Sequence, residues 1–86
     1  MSDRILSLKI FARVARLGSF SRAARELGIS QPSVSRITAD LEREIGAALL
    51  TRTTRAVVLT EAGVDYLARI EPLLDALEEA DLAARG

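Results

Sequence analysis

Apolar residues recur every three or four positions along most of the chain, which is the spacing of one face of a helix. The first run predicts a helix from about Asp3 to Leu17, with Gly18 as the stop after it. The next predicts a short helix that Ser21 caps and that ends at Leu27. The apolar stripe of the first helix is therefore predicted to form core.

A third helix is predicted to begin after Ser30 and to reach Ile45. Ser30 is a suitable N-cap, and Pro32 falls in the first turn, where a missing N–H costs little. Gly46 supplies the stop at the other end.

Beyond the third helix the spacing changes to two short β-prone runs, at residues 48–51 and 57–59. The polar segment 52–55 lies between them and carries two arginines, so this region is predicted to be a hairpin. Thr60 then caps a final helix that starts at Glu61.

The final helix carries an apolar stripe that is broader than one small domain can cover. Its members are Leu67, Ile70, Leu74 and Leu77, flanked by Tyr66, Leu73 and Ala80. Pro72 interrupts the pattern, since a proline inside a helix removes a hydrogen bond at a cost of about 3 kcal/mol unless the chain bends. We therefore predict a kink between Arg69 and Pro72.

The second and third helices are joined by a very short link, Gly28-Ile29-Ser30, which predicts a helix-turn-helix over about residues 20–39. Ala24 allows the helices to approach, and Gly28 takes the unusual backbone angles of the turn. The apolar residues expected to fill the space beneath are Leu27, Ile29, Val34 and Ile37.

Large apolar side chains are missing from the third helix on the side opposite its core face. That side carries Pro32, Ser35, Arg36, Ala39 and Arg43, with Gln31 and Ser33 at the N-terminal tip. Glutamine can bond adenine, and arginine can bond guanine or phosphate, so this face favours double-stranded DNA as the partner. A merely solvated helix face is the alternative.

The formal net charge is zero, but the basic and acidic side chains are unevenly distributed along the chain. Residues 1–58 have five more basic than acidic side chains, and residues 59–86 have five more acidic than basic ones. Eleven of the twelve basic residues are arginine, whose guanidinium suits phosphate and guanine contacts. We therefore expect the acidic end to face away from DNA.

The chain has 86 residues, enough for one small domain, and contains neither cysteine nor histidine. Without cysteine the chain has no thiolate site, and without histidine it lacks the commonest metal ligand and general base. We therefore predict no catalytic residue, no metal and no cofactor. No run of about 18 apolar residues occurs, so we expect no membrane and a cytoplasmic location. A protein-interaction module built on the leucine stripe is a second hypothesis, against which the polarity of Arg36 and 52–55 argues.

These motifs, in this order, resemble the N-terminal DNA-binding module of LysR-type transcriptional regulators. The matching segments are FARVA at 11–15, GSFSRAA at 18–24, LGISQPSVSR at 27–36, Leu41-Glu42, Gly46, Leu49-Leu50, RTTR at 52–55 and LTEAG at 59–63. Thr38 departs from the family pattern, which has an aliphatic residue facing the core there. We expect its hydroxyl to bond the carbonyl of Val34.

The resemblance implies a mainly α fold, a winged helix-turn-helix of three helices and a β-hairpin wing, followed by a long linker helix. The implied domains are residues 1–60, with the wing at about 48–59, and the dimerisation helix 61–86. Helix 31–45 would enter the major groove, and the wing at 52–55 would contact the backbone and minor groove. The implied DNA contacts are Ser21, Gln31, Pro32, Ser33, Ser35, Arg36, Arg52, Thr53, Thr54 and Arg55.

The resemblance also implies a homodimer, formed through the linker helix, on an imperfect palindromic operator. The implied interface residues are Tyr66, Leu67, Ile70, Leu73, Leu74 and Leu77. A helix folded back on its own domain is the alternative for this stripe. A small-molecule inducer is expected only for a longer C-terminal domain, which lies outside these 86 residues.

Overall fold

Four helices and a two-stranded hairpin make up the described residues, 3–53 and 56–86, of the computed structural model. This confirms the mainly helical fold that the sequence predicts. The elements, in order, are α1 (Arg4–Leu17), α2 (Phe20–Leu27), α3 (Gln31–Ile45), β1 (Leu50–Arg52), β2 (Val57–Leu59) and α4 (Glu61–Arg85).

Short polar side chains determine where the helices begin. Asp3, Ser30 and Thr60 each accept a hydrogen bond from a backbone N–H three residues later, so the predicted starts of α1, α3 and α4 are confirmed. The predicted cap of α2 was wrong: Ser19, not Ser21, accepts from the Arg22 N–H, at 3.1 Å. The earlier start brings Phe20 into the helix, where its ring is buried in the core.

The link between α2 and α3 turns at Gly28, which has the left-handed backbone (φ 70°) that glycine tolerates best. Val34 is fully buried beneath the turn, and Leu27 and Ile37 pack against the same cluster, as predicted. Ile29 does not, because 37% of its surface is exposed. The expectation that Ile29 fills the space under the turn is therefore wrong.

The hairpin is antiparallel, with Leu50 opposite Leu59 and Arg52 opposite Val57. Its first strand begins two residues later than predicted, and Glu42 of α3 explains the difference. The Glu42 carboxylate accepts hydrogen bonds from the backbone N–H groups of Leu49 (2.7 Å) and Leu50 (3.1 Å). The N–H groups of Leu49 and Leu50 are thus bonded to a side chain of α3 rather than to a neighbouring strand.

Helix α1 lies between two buried clusters and contributes to both. One contains Ile10 and Val14 with residues of α2 and α3, and the other contains Leu8 and Phe11 with Leu41, Leu49 and Ile70. The second cluster brings the first half of α4 onto the body of the domain. Edge-to-face contact between the rings of Phe11 and Tyr66, with centroids 5.9 Å apart, belongs to this packing.

The leucine stripe of α4 is divided between the core and solvent. Ile70 is buried in the second cluster, with Leu67 and Leu74 packed against it. Leu73 is 64% exposed and Leu82 is 55% exposed. Part of the stripe thus folds back on its own domain and part does not.

Pro72 lies inside α4, and the helix continues without a break from Glu61 to Arg85. The expected interruption of the helix at this point is absent from the described structure. A bend of the helix axis at Pro72 stays a prediction.

Gly63, in the first turn of α4, lies directly against the backbone of Leu49, the residue before β1. A Cβ atom built on Gly63 would lie 2.0 Å from the carbonyl oxygen of Leu49, which is backbone and cannot rotate away. Only glycine lets α4 start where Thr60 caps it, with the Thr60 N–H donating to the same Leu49 carbonyl at 3.0 Å.

We predict that Gly63→Ala destabilises the domain by about 1–3 kcal/mol, because the added methyl overpacks against fixed backbone. Helix propensity alone predicts the opposite sign, a gain of about 0.5–1 kcal/mol. Urea unfolding followed by circular dichroism measures the difference. Ala76→Gly, at an exposed position of the same helix, calibrates the propensity term, and a more stable Gly63→Ala variant would contradict the packing analysis.

Candidate nucleic-acid interface

The N-terminal tip of α3 is an exposed polar surface on a firmly held helix. Gln31, Pro32 and Arg36 are exposed, while Val34 and Leu41 on the other side are buried. The tip therefore has a fixed position with its polar groups turned outward.

Thr38 anchors α3 from within the core. Its side chain is 2% exposed, and Oγ1 lies 3.1 Å from the carbonyl oxygen of Val34 and 3.0 Å from that of Ser35. The expected bond to Val34 is confirmed. A threonine is accepted at this buried place because its hydroxyl finds a carbonyl within its own helix.

The two serines of the tip are already engaged with neighbouring groups. Ser33 Oγ accepts a hydrogen bond from the Ser30 hydroxyl at 2.8 Å, which leaves its own proton free for another partner. Ser35 Oγ accepts from Nη2 of Arg52, on β1, at 2.5 Å. Both serines are only half-buried and remain reachable from solvent.

Arg52 joins the hairpin to both helices of the helix-turn-helix. Besides the bond to Ser35, its guanidinium carbon lies 4.3 Å from the centroid of the Phe20 ring. The flat guanidinium can stack on an aromatic face and donate in its own plane at the same time.

The hairpin end next to Arg52 is closed by Thr53. The Thr53 hydroxyl and N–H both donate to the Ala56 carbonyl, at 3.0 and 2.8 Å, and the Ala56 N–H donates back to Thr53 Oγ1 at 2.9 Å. Thr54 and Arg55, the other two predicted wing contacts, lie outside the described residues.

A shallow cleft of about 340 Å³ collects several of the predicted contacts. Ser21, Gln31, Arg52 and Thr53 line it, together with Ser19 and Phe20. Ser21 is exposed, and its hydroxyl lies 3.1 Å from that of Ser19, the cap of α2. The structure thus brings together residues from the start of α2, the tip of α3 and the hairpin, while Pro32 and Arg36 lie outside the cleft.

Ion pairs divide the arginines into two groups. Arg4 pairs with Glu44, Arg13 with Glu26, Arg16 with Glu71, Arg43 with Asp40 and Arg69 with Asp65. The hydrogen bond to Glu44 raises the pKa of Arg4, and that to Glu71 raises the pKa of Arg16. Within residues 3–53 and 56–86, the arginines without a carboxylate partner are Arg22, Arg25, Arg36, Arg52 and Arg85.

Four of these five unpaired cations belong to α2, α3 and β1, the elements that carry the cleft and the tip. A chain with no net charge therefore still concentrates positive charge on the helix-turn-helix. Such a surface is suited to phosphate groups.

Glu42 and Phe20 are residues of this region whose roles the sequence analysis missed. In the sequence, Glu42 stood out only as part of a segment that matches the family. No residue near it in the sequence indicates that its carboxylate reaches the N–H groups of the hairpin. For Phe20 the available signal was its position between two serines, either of which can cap a helix.

The described residues include no group of acidic side chains that could hold a metal ion, and no helix among them is long and apolar enough to cross a membrane.

Three helices with a hairpin after the third define a winged helix-turn-helix. Residues 5–64 match the family described as bacterial regulatory helix-turn-helix protein, lysR family. The chain belongs to this family, as the resemblance implied.

Known relatives agree in sequence and in fold. The chain is 48% identical over 77 residues to an uncharacterized HTH-type transcriptional regulator, YfeR of Shigella flexneri, covering 90% of this chain and 25% of YfeR. The BenM DNA-binding domain in complex with catB site 1 DNA superposes with a TM-score of 0.89 at 32% identity, covering 99% of this chain and 93% of that one. Corynebacterium glutamicum OxyR, as a C206 mutant, gives 0.90 at 38% identity, covering 95% and 26%.

The chain spans about a quarter of the length of the curated relatives that it matches. The similarity to OxyR likewise covers about a quarter of that chain. The likeness is therefore one of DNA-binding domains with their following helix.

We predict that Glu42→Ala destabilises the domain by about 1–3 kcal/mol, because two part-buried N–H groups lose their acceptor. Amide hydrogen exchange at Leu49 and Leu50 should accelerate more than elsewhere. Asp40→Ala is the matched control, since it removes an exposed ion pair of the same helix worth below about 1 kcal/mol. Equal effects of the two variants would show that the Glu42 bonds do not hold the hairpin.

Proposed function

We propose that this chain binds double-stranded DNA sequence-specifically, with α3 in the major groove and the hairpin on the backbone and minor groove. The observation that carries the proposal is the exposed polar tip of α3, whose opposite face is locked into the core. The unpaired arginines around it supply charge for phosphates. The solved relatives described as complexes with DNA, those of BenM and CbnR, support DNA binding by a domain of this fold.

The residues at the N-terminal tip of α3 contact the base edges. Gln31 can bond the N6 and N7 atoms of adenine, and Arg36 can reach guanine or a phosphate. Pro32 offers an apolar surface to a thymine methyl, and the hydroxyl protons of Ser33 and Ser35 can be donated to base acceptors. Gln31, Pro32 and Arg36 are exposed, and the two serines are partly buried but reachable from solvent.

The hairpin and the start of α2 contribute affinity. Arg52 and Thr53, with Thr54 and Arg55, form the wing that contacts the backbone and minor groove. Ser21, at the mouth of the cleft beside Arg52, contacts a phosphate.

We further propose that two copies pair through α4, so that two α3 helices meet successive major grooves of an imperfect palindrome. Of the six residues predicted for the interface, four lie against the core of their own chain: Tyr66, Leu67, Ile70 and Leu74. Leu73 is 64% exposed, and at 100° per residue it lies about 60° around the helix from Ile70. Leu73 and Leu77 therefore form the side of the stripe that is left for a partner, and Tyr66, on the same side, is shared with the core.

In this proposal, residues 1–60 are the DNA-binding unit and residues 61–86 are the dimerisation helix, although the first half of α4 also completes the core. The whole protein is a transcriptional regulator. A small-molecule inducer, which the family resemblance implies, would bind outside residues 1–86.

Selection of bound sequences from a pool of random duplexes tests the DNA-binding proposal. We expect a defined half-site, and binding that weakens steeply as salt rises, because several phosphates are neutralised. Gln31→Ala should relax the preference at particular base pairs by about threefold to tenfold, which corresponds to one lost hydrogen bond. Arg85→Ala, at the far end of α4, should leave the base preferences unchanged.

Two outcomes of that selection count against the proposal. Binding to the duplexes that does not respond to salt contradicts phosphate neutralisation and leaves the second hypothesis, a protein-interaction module. A preference profile that Gln31→Ala leaves intact removes Gln31 from the base-reading residues.

For the dimer, we expect Leu73→Glu to yield monomers in sedimentation at concentrations where the unchanged chain is dimeric, because a charge would be buried at the seam. Leu82→Glu is the control. It places the same charge on an exposed leucine about 180° away around the helix, and it should leave the dimer intact. A monomeric wild-type chain, or a dimeric Leu73→Glu variant, would refute the proposed interface.

A further inference from the structure

Arg52 is the one described side chain of the hairpin that is bonded to the base-reading tip of α3. Nη2 lies 2.5 Å from Ser35 Oγ, and the guanidinium stacks over Phe20 with its carbon 4.3 Å from the ring centroid. Phe20 is only 8% exposed, so the ring is a fixed support. The guanidinium is thus held by two contacts: the Phe20 ring of α2 lies against its flat face, and Ser35 of α3 accepts a hydrogen bond from its edge.

The bond to Arg52 restricts what the Ser35 hydroxyl can do. A serine hydroxyl has one proton and two lone pairs. Arginine can only donate, so it occupies a lone pair and directs the proton away from itself. Among the described residues no group accepts that proton, which leaves it available to a ligand.

The backbone of Ser35 is held as well. Its carbonyl oxygen accepts from Thr38 Oγ1 at 3.0 Å, inside the core. Because both the main chain and the side chain of Ser35 have fixed partners, the hydroxyl is presented in one orientation.

We infer that Arg52 is a specificity-determining residue, which sets Ser35 to act as a hydrogen-bond donor toward a base edge. The inference rests on the proposed function and deepens it. A hydroxyl that donates selects acceptors in the major groove, namely N7 or O6 of guanine, N7 of adenine or O4 of thymine. Without Arg52, both lone pairs could accept from the amino groups of cytosine or adenine and the proton could point anywhere, so the serine would discriminate less.

This role differs from that of an ordinary wing cation. An arginine that only neutralises a phosphate changes the affinity for all sequences alike. Arg52, acting through Ser35, changes the preference at one base pair. Its remaining N–H groups are still free to bond the DNA backbone, so both effects occur together.

The test compares base preferences of the 86-residue chain with those of Arg52→Met, Arg52→Lys, Ser35→Ala and the double variant Arg52→Met/Ser35→Ala, by selection from random duplexes. Methionine keeps the apolar stem and removes every donor, while lysine keeps the charge and loses the flat fork. We expect Arg52→Met and Ser35→Ala to relax the same base pair by about threefold to tenfold, the effect of one hydrogen bond. The double variant should be no less selective there than either single one, because the two residues act as a unit.

Arg22→Met is the matched control, since Arg22 is an exposed arginine of α2 without a carboxylate partner. It should alter affinity without altering any base preference. Circular dichroism verifies that each variant is folded. If Arg52→Met does not fold, Arg52→Lys replaces it, since we expect it also to weaken the preference at the base pair that Ser35 reads.

The outcomes separate this inference from the proposed function. If the wild-type chain selects a half-site and both Arg52 variants leave the whole profile unchanged, the inference is overturned and the proposed function stands. Relaxation at a base pair other than the one read by Ser35 overturns it equally. A flat profile for the wild-type chain overturns the proposed function and this inference with it.

Discussion

The backbone of Leu49 is the junction on which the rest of this domain depends. Its N–H is bonded to Glu42 of α3, and its carbonyl accepts from Thr60 at the start of α4. Its side chain is buried among residues of α1, α3 and α4. One extended residue thereby fixes the position of two helices and of the hairpin that follows, and the absence of a side chain at Gly63 is what lets α4 come this close.

The surface around α3 is positively charged because, among the described residues, several of its arginines lack carboxylate partners, whereas most arginines elsewhere in the domain are paired. Exposed ion pairs contribute little to stability, about 0–1 kcal/mol each, so those on α1 and α4 matter mainly for the charges they remove. Arg16 and Arg4 are occupied by carboxylates, whereas Arg36 and Arg52 are not. Burial fixes the geometry of the tip, and this selective pairing gives it its charge.

The local features of this fold were predictable from the sequence, and the contacts between elements were not. Caps such as Ser30 and Thr60 act within three residues, so the chain order alone reveals them. The choice of Ser19 over Ser21 depends on the burial of Phe20, which is a tertiary effect. The bond between Arg52 and Ser35 spans 17 positions and has no signature in either segment.

Pro72 separates two halves of α4 that have different surroundings. A proline has no N–H for the carbonyl four residues earlier, so the helix has its weakest hydrogen bonding just beyond Ile70, where its packing against the core thins out. Every residue from Glu78 onward is exposed. The first half is packed on the core of the domain, whereas the side chains of the second half are largely in solvent. In the proposed dimer, a change of helix direction at Pro72 would alter the distance between the two α3 helices without repacking either core, so a range of half-site spacings would be accommodated.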